Sequence, residues 1–165
     1  MDHYYSIERP STAEFKDRGS KFIAYAYPVQ SVEEFKQQLN NLKKEHPKAV
    51  HHCFAYKIGI TGEQYRVNDD GEPSGTAGKQ IFGQLESKNL TNVAVVVVRY
   101  FGGTLLGVPG LINAYKTSAA LALQTVPVIQ KPVLVSYRVD FDYTLLNEVI
   151  QIIKQCQCVI FSQEL

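Results

Sequence analysis

Thirteen consecutive residues, 68–80 (NDDGEPSGTAGKQ), bring together Asp69, Asp70 and Glu72, three glycines, a proline, and the hydroxyls of Ser74 and Thr76. Two kinds of chemistry use such residues. Clustered carboxylates supply oxygen ligands for a hard cation. Glycine-rich backbone entering a helix offers free N–H groups and a positive dipole end to a phosphate or carboxylate, here with Lys79 in the first turn to assist. Neither pattern is complete. The acids lack EF-hand spacing, and the glycines match neither GxxxxGK[ST] nor GxGxxG. A structural reading accounts for the same residues. Asn68 to Gly71 make a turn, with positive φ available at Gly71, Pro73 holds Glu72 extended, and Thr76 caps a following helix.

Three other groups could carry chemistry. Arg99, Tyr100 and Phe101, followed by Gly102 and Gly103, place a guanidinium and two aromatic rings at a strand end, where they could stack bases or bind phosphate. The plainer expectation is that Arg99 pairs with one of the acids in 69–72 and so joins the two glycine-rich loops into one surface. His51, His52 and Cys53 suggest zinc, but successive strand residues point to opposite faces, so at most His51 and Cys53 share a ligand. No fourth ligand is evident, Cys156 and Cys158 are spaced too tightly for a structural zinc pair, and no nucleophile has an identified base. No catalytic residue, metal or cofactor is therefore expected.

Several elements must position these groups. Residues 21–29 alternate as a strand ending at Pro28. Ser31 and Glu34 form a capping box for a helix whose stripe is Val32, Phe35, Leu39 and Leu42, stopping at His46-Pro47. Residues 51–58 and 64–67 read as an antiparallel hairpin turning at Thr61-Gly62. A short helix begins near Ala77. Residues 93–98 (VAVVVV) lack polar alternates, which marks a strand covered on both faces, and a further helix begins near Pro109. Val126-Pro127 through Lys131-Pro132 reads as a linker and domain boundary. Beyond it, residues 133–141 read as a strand, a helix starts at Thr144, and residues 158–161 read as another strand. A lone β-α-β cannot bury a core of its own, so this piece is expected to be part of a truncated domain.

The bulk numbers set limits. The chain has 165 residues, 45% apolar and 20% charged, with net charge +1, so no molecule-wide field attracts nucleic acid or an anionic membrane. The N-terminus has no secretory pattern and no apolar run is long enough to span a bilayer. Three cysteines without framework spacing point to a reducing, cytoplasmic setting.

DDGEPSGTAG, VVVVRYFGG about twenty residues later, and then LG..GL..AY together resemble the signature of the Impact family, specifically its bacterial branch. HHCFAY at His51 and RGSKFIAYAYPV fit the same family. The resemblance implies an α/β fold, an α+β sandwich. Residues 1–125 would form an Impact-type N-terminal domain of the ribosomal-protein-like kind, resembling the fourth domain of elongation factor G. Residues 133–165 would be part of a ferredoxin-like domain. Its eukaryotic members regulate translation, and RNA or ribosome binding is the usual expectation for bacterial ones. Two basic positions of the family pattern are Leu105 and Asn113 here, which lowers the expected affinity for RNA.

The expected function is thus a non-catalytic, translation-associated binding protein. Its partner would be RNA, the ribosome or a regulatory protein. Its binding residues would be Asp69, Asp70, Glu72, Ser74, Gly75, Thr76, Lys79, Arg99, Tyr100, Gly102 and Gly103. The alternative is an enzyme holding a phosphorylated or carboxylated small molecule in the glycine-rich loops, with Asp69 or Asp70 as base or metal ligand.

Overall fold

The computed structural model describes residues 2–164. Strands β1 (His3–Ile7), β2 (Ser11–Asp17) and β3 (Ser20–Pro28) precede helix α1 (Val32–Glu45). Strands β4 (His51–Ile58) and β5 (Gln64–Asn68) lead to α2 (Gly78–Ser87), and β6 (Val93–Tyr100) leads to α3 (Gly107–Gln124). After β7 (Val128–Pro132) come a 3-10 turn (Tyr143–Leu145) and α4 (Leu146–Gln155). The fold is mixed α/β with two antiparallel sheets, a five-stranded one in the order β2-β3-β6-β4-β5 and a β1-β7 pair.

The all-apolar run in β6 is explained by its place in the middle of the larger sheet. Its residues from Val93 to Val98 are fully buried. Val93, Val95 and Val97 face a core built with α2 and α3 through Ile81, Leu85, Ala114 and Tyr115. Ala94, Val96 and Val98 face a second core, where Phe35 and Leu42 of α1 meet Phe54 and Tyr56 of β4. Helix α1 starts as its sequence requires. The Ser31 hydroxyl accepts from the Glu34 N–H, while the Glu34 carboxylate reaches one residue further back than a capping box, to the N–H of Gln30.

Three expectations are corrected. The proline-bracketed segment after Val126 is no linker, because β7 pairs with β1 from Ile7↔Val128 to His3↔Pro132. Proline is tolerated there since it closes an edge strand. Residues 133–141 and 158–161 form no strands, so the β-α-β expected of a partial ferredoxin-like domain is absent among the described residues. Alternation alone does not make a strand when no neighbour supplies the ladder. The helix expected from Thr144 is present as the 3-10 turn and α4, with the Asp142 carboxylate accepting from the Thr144 N–H. Strands β1 and β2 were not anticipated, although Ala13 and Phe15 alternating with Glu14 and Lys16 carry the signal for β2.

The chain divides into two units between Val133 and Leu134. All the residues discussed below belong to the first. Among the described residues, no helix is long and apolar enough to cross a membrane.

Candidate binding site at the glycine-rich loops

Asp69 occupies the place an incoming anion would take. One carboxylate oxygen accepts from the N–H groups of Ala77 and Gly78, at 3.1 and 2.8 Å, and the other accepts from Gly75 at 3.0 Å. The first two free donors at the start of α2 are thus filled by the chain itself, and the cap is a carboxylate from eight residues upstream of Ala77 in the sequence. Thr76 is not the cap, because its hydroxyl donates to the carbonyl of Pro73 at 2.6 Å. No local pattern announces a cap reaching across a turn. Gly78 is required, since a Cβ there would lie 2.6 Å from the backbone nitrogen of Asn68, where the helix start presses on the end of β5.

Asp70 sits at φ 42° in an Asx turn, its N–H donating to the Asn68 side chain at 2.7 Å. Its carboxylate accepts from the backbone N–H of His52 at 2.7 Å, tying the loop to β4. The loop then delivers Glu72 inward, where the residue is only 8% exposed.

Glu72 is the acid that meets Arg99. One guanidinium nitrogen of Arg99 donates to both carboxylate oxygens at 2.8 and 2.7 Å, and the arginine is 5% exposed. Tyr115 of α3 donates its hydroxyl to the same carboxylate. His51 approaches from β4, with Nε2 at 3.2 Å from Glu72 and Nδ1 at 2.6 Å from the Asp70 carbonyl, so both ring nitrogens face acceptors. A buried carboxylate costs several kcal/mol to desolvate unless it is paired and hydrogen-bonded, and here it is both.

Arg99 also reaches the second loop. Its other terminal nitrogen lies 3.4 Å from the Ser20 hydroxyl, which accepts from the Gly102 N–H at 3.2 Å. The guanidinium lies between the rings of Phe22 and Phe101, 5.5 and 5.7 Å from their centres. Gly102 packs against Gly19 so tightly that a Cβ on Gly102 would come within 1.9 Å of the Gly19 backbone. The glycines here serve close approach of two backbones.

Beneath the pair lies Cys53, whose thiol is 3.1 Å from the Asp69 carbonyl and 3.4 Å from the Tyr115 hydroxyl. Burial pushes the Cys53 thiol up, only partly offset by the hydrogen bond with Tyr115. Burial likewise pushes Tyr115 up, reinforced by Cys53 and Glu72. Both groups stay protonated at neutral pH, and Cys53 is not held as a thiolate.

Two of the expected site residues lie apart from this cluster. Tyr100, next to Arg99 on β6, points to the opposite face, where its hydroxyl and that of Tyr25 hold the two nitrogens of His46 at 2.6 and 2.7 Å. Lys79 is exposed and makes no ion pair among the described residues. Ser74 and Gly103 are exposed on the loop rims, and Gly75 is engaged through its N–H. Sequence reasoning missed Ser20 and Tyr115, and it weighed His51 only as a zinc ligand. Their contacts depend on three separate elements converging. The second loop and the first turn of α3 expose three large apolar side chains, Phe101 at 49%, Val108 at 51% and Leu105 at 83%, around the exposed Thr104.

A mixed α/β protein with a five-stranded antiparallel sheet, whose two glycine-rich loops are locked by a buried Glu72–Arg99 pair, is the class these features define. The chain belongs to the Impact family: the profile described as the Impact N-terminal domain matches residues 18–123. It is 33% identical over 157 residues to the IMPACT family member YvyE of Bacillus subtilis, covering 95% of this chain and 72% of that one. It is 34% identical over 166 residues to the family member YigZ of Escherichia coli, covering 99% of this chain and 81% of that one. A crystal structure described only as that of a hypothetical protein superposes with a TM-score of 0.84 at 33% identity, over 100% of this chain and 82% of the other.

Proposed function

We propose that this chain is a non-catalytic, cytoplasmic binding protein of translation. It would engage the ribosome, or a protein bound to it, through the end of the sheet where the two glycine-rich loops meet. The translation setting rests on membership of the Impact family. The observation that carries the binding mode is the division of labour in the loops. Two of their acids are spent inward: Asp69 accepts from the N–H groups of Ala77 and Gly78 at the start of α2, and Glu72 is matched by Arg99, Tyr115 and His51. The second loop and the first turn of α3 present Phe101, Leu105 and Val108 outward, beside the exposed Asp70, Ser74 and Lys79 of the first loop region. A small anion seeking the N–H groups of Ala77 and Gly78 would have to displace Asp69, which counts against the enzymatic alternative. An apolar tip suits a protein contact better than a phosphate backbone, and Leu105 and Asn113 stand where the family pattern is basic.

Cosedimentation of the full chain with purified ribosomes at low and moderate salt tests this reading. We expect saturable binding that persists at moderate salt and is not reproduced by ribosomal RNA alone. Absence of saturable binding to ribosomes at either salt would sink it.

A further inference from the structure

On the face of the large sheet away from Glu72, helix α1 and the edge strand β5 border a shallow groove of about 210 Å³. Its floor is apolar, made by Phe35, Leu39, Phe54 and Tyr56. Its rim carries Lys36, Lys43 and Arg66. None of these three cations makes an ion pair among the described residues, although other cations do, such as Lys57 with Glu86. No acid lines the groove.

Strand β5 adds a second feature. It pairs with β4 alone and forms the margin of the sheet, so alternate backbone N–H and C=O groups along it point outward without a ladder. Its two faces differ. Arg66 and Asn68 turn to the groove, with the Arg66 guanidinium 5.7 Å from the ring centre of Phe54. Tyr65 and Val67 turn to the α2 side, where they are 66% and 44% exposed and Tyr65 lies 5.5 Å from the ring of Phe82. A strand laid along β5 would place its own alternate residues beside these, one set against cations and the other against apolar side chains.

We propose that β5 and the groove form a docking site for an extended, acidic peptide segment of a partner protein, added to the sheet as a sixth strand. Acidic residues of the segment lie on the groove side with Lys36, Lys43 and Arg66, and apolar residues alternate with them on the Tyr65 and Val67 side. Main-chain bonds to the open edge supply affinity, and the two-sided pattern supplies selection. Single-stranded RNA would meet the same cations, but it gains affinity by stacking bases on exposed rings. The rings of the floor are buried, with Phe35, Phe54 and Tyr56 at 2%, 5% and 7% exposure, and Arg66 already covers Phe54. The site is independent of the loop face, because Arg99 and Glu72 lie on the other side of the sheet.

The test uses the full chain and fluorescently labelled seven-residue probes, read by anisotropy. The probes are a peptide alternating Glu and Val, the same peptide with Lys for Glu, the Glu-Val peptide methylated at its backbone amides, and oligouridylate. Saturable binding of the Glu-Val peptide alone is expected, weakened roughly tenfold by Arg66→Glu and similarly by Lys36→Glu. Lys36 is exposed, so the thermal unfolding midpoint of Lys36→Glu should match that of the parent, while Arg66→Glu gives up the contact with the Phe54 ring and its affinity is read well below its own midpoint. No saturable binding of the Glu-Val peptide would overturn the proposal. So would equal binding of the methylated peptide, which cannot add as a strand, or binding of oligouridylate that the same variants weaken to the same degree.

Discussion

Residue by residue, the carboxylates of the first loop have separate tasks, and substitution should separate them. Glu72 is matched by Arg99 in a setting nearly closed to water. Removing one partner strands the other, so Glu72→Gln or Arg99→Met should each cost about 3–5 kcal/mol. The double variant should cost clearly less than the sum of the two, because neither charge is left alone. Urea unfolding of the four proteins reads both quantities, and strictly additive losses would deny the coupling. His52 gives a pH prediction. Burial lowers its pKa, against weaker opposing effects of the His46 carbonyl and Asp70. The unfolded chain therefore takes up the proton more readily, and stability falls as pH drops from the ordinary histidine range toward the folded value. Unfolding midpoints between about pH 7 and 5 should fall less steeply in His52→Gln than in the parent, since that contribution is gone. Arg99's pairing was legible in the sequence because one cation and several acids sat at facing loop positions. Which acid, and the help from His51 and Tyr115, was not legible, because those contacts are fixed by three elements far apart in the chain.

Among the elements, α2 shows how a weak helix is made to start. With two glycines in ten residues and no capping side chain of its own, it depends on Asp69. Asp69→Ala should cost about 1–2 kcal/mol, at the upper end for a lost cap because three N–H groups lose their acceptor. Thr76→Ala should cost less, and chemical denaturation of the two variants decides the order. The same element marks the limit of local reading. Strand β6 and the stripe of α1 were legible because their periodicity is set by burial on known faces. The cap of α2 was not, because it comes from across a turn. The segment after Val126 was misread because proline at both ends looks like a linker until β1 is known to lie beside it.

For the whole molecule, the β1-β7 pair closes the first unit and Val133 ends it. A chain ending at Val133 should unfold in a single cooperative step. One ending at Val126, which lacks β7, should unfold at a lower denaturant midpoint, with calorimetry or urea titration as the check. The folded body so bounded carries an apolar tip at its second glycine-rich loop, made by Phe101, Leu105 and Val108. Under the proposed function this outward tip, rather than a catalytic pocket, is the working surface. The most direct test is the ribosome-binding isotherm of Leu105→Asp beside that of the parent chain at moderate salt, with both proteins shown to unfold at the same midpoint. At least a tenfold loss of affinity, about 1.4 kcal/mol, is expected from this one exposed side chain. Unchanged binding by Leu105→Asp would contradict it.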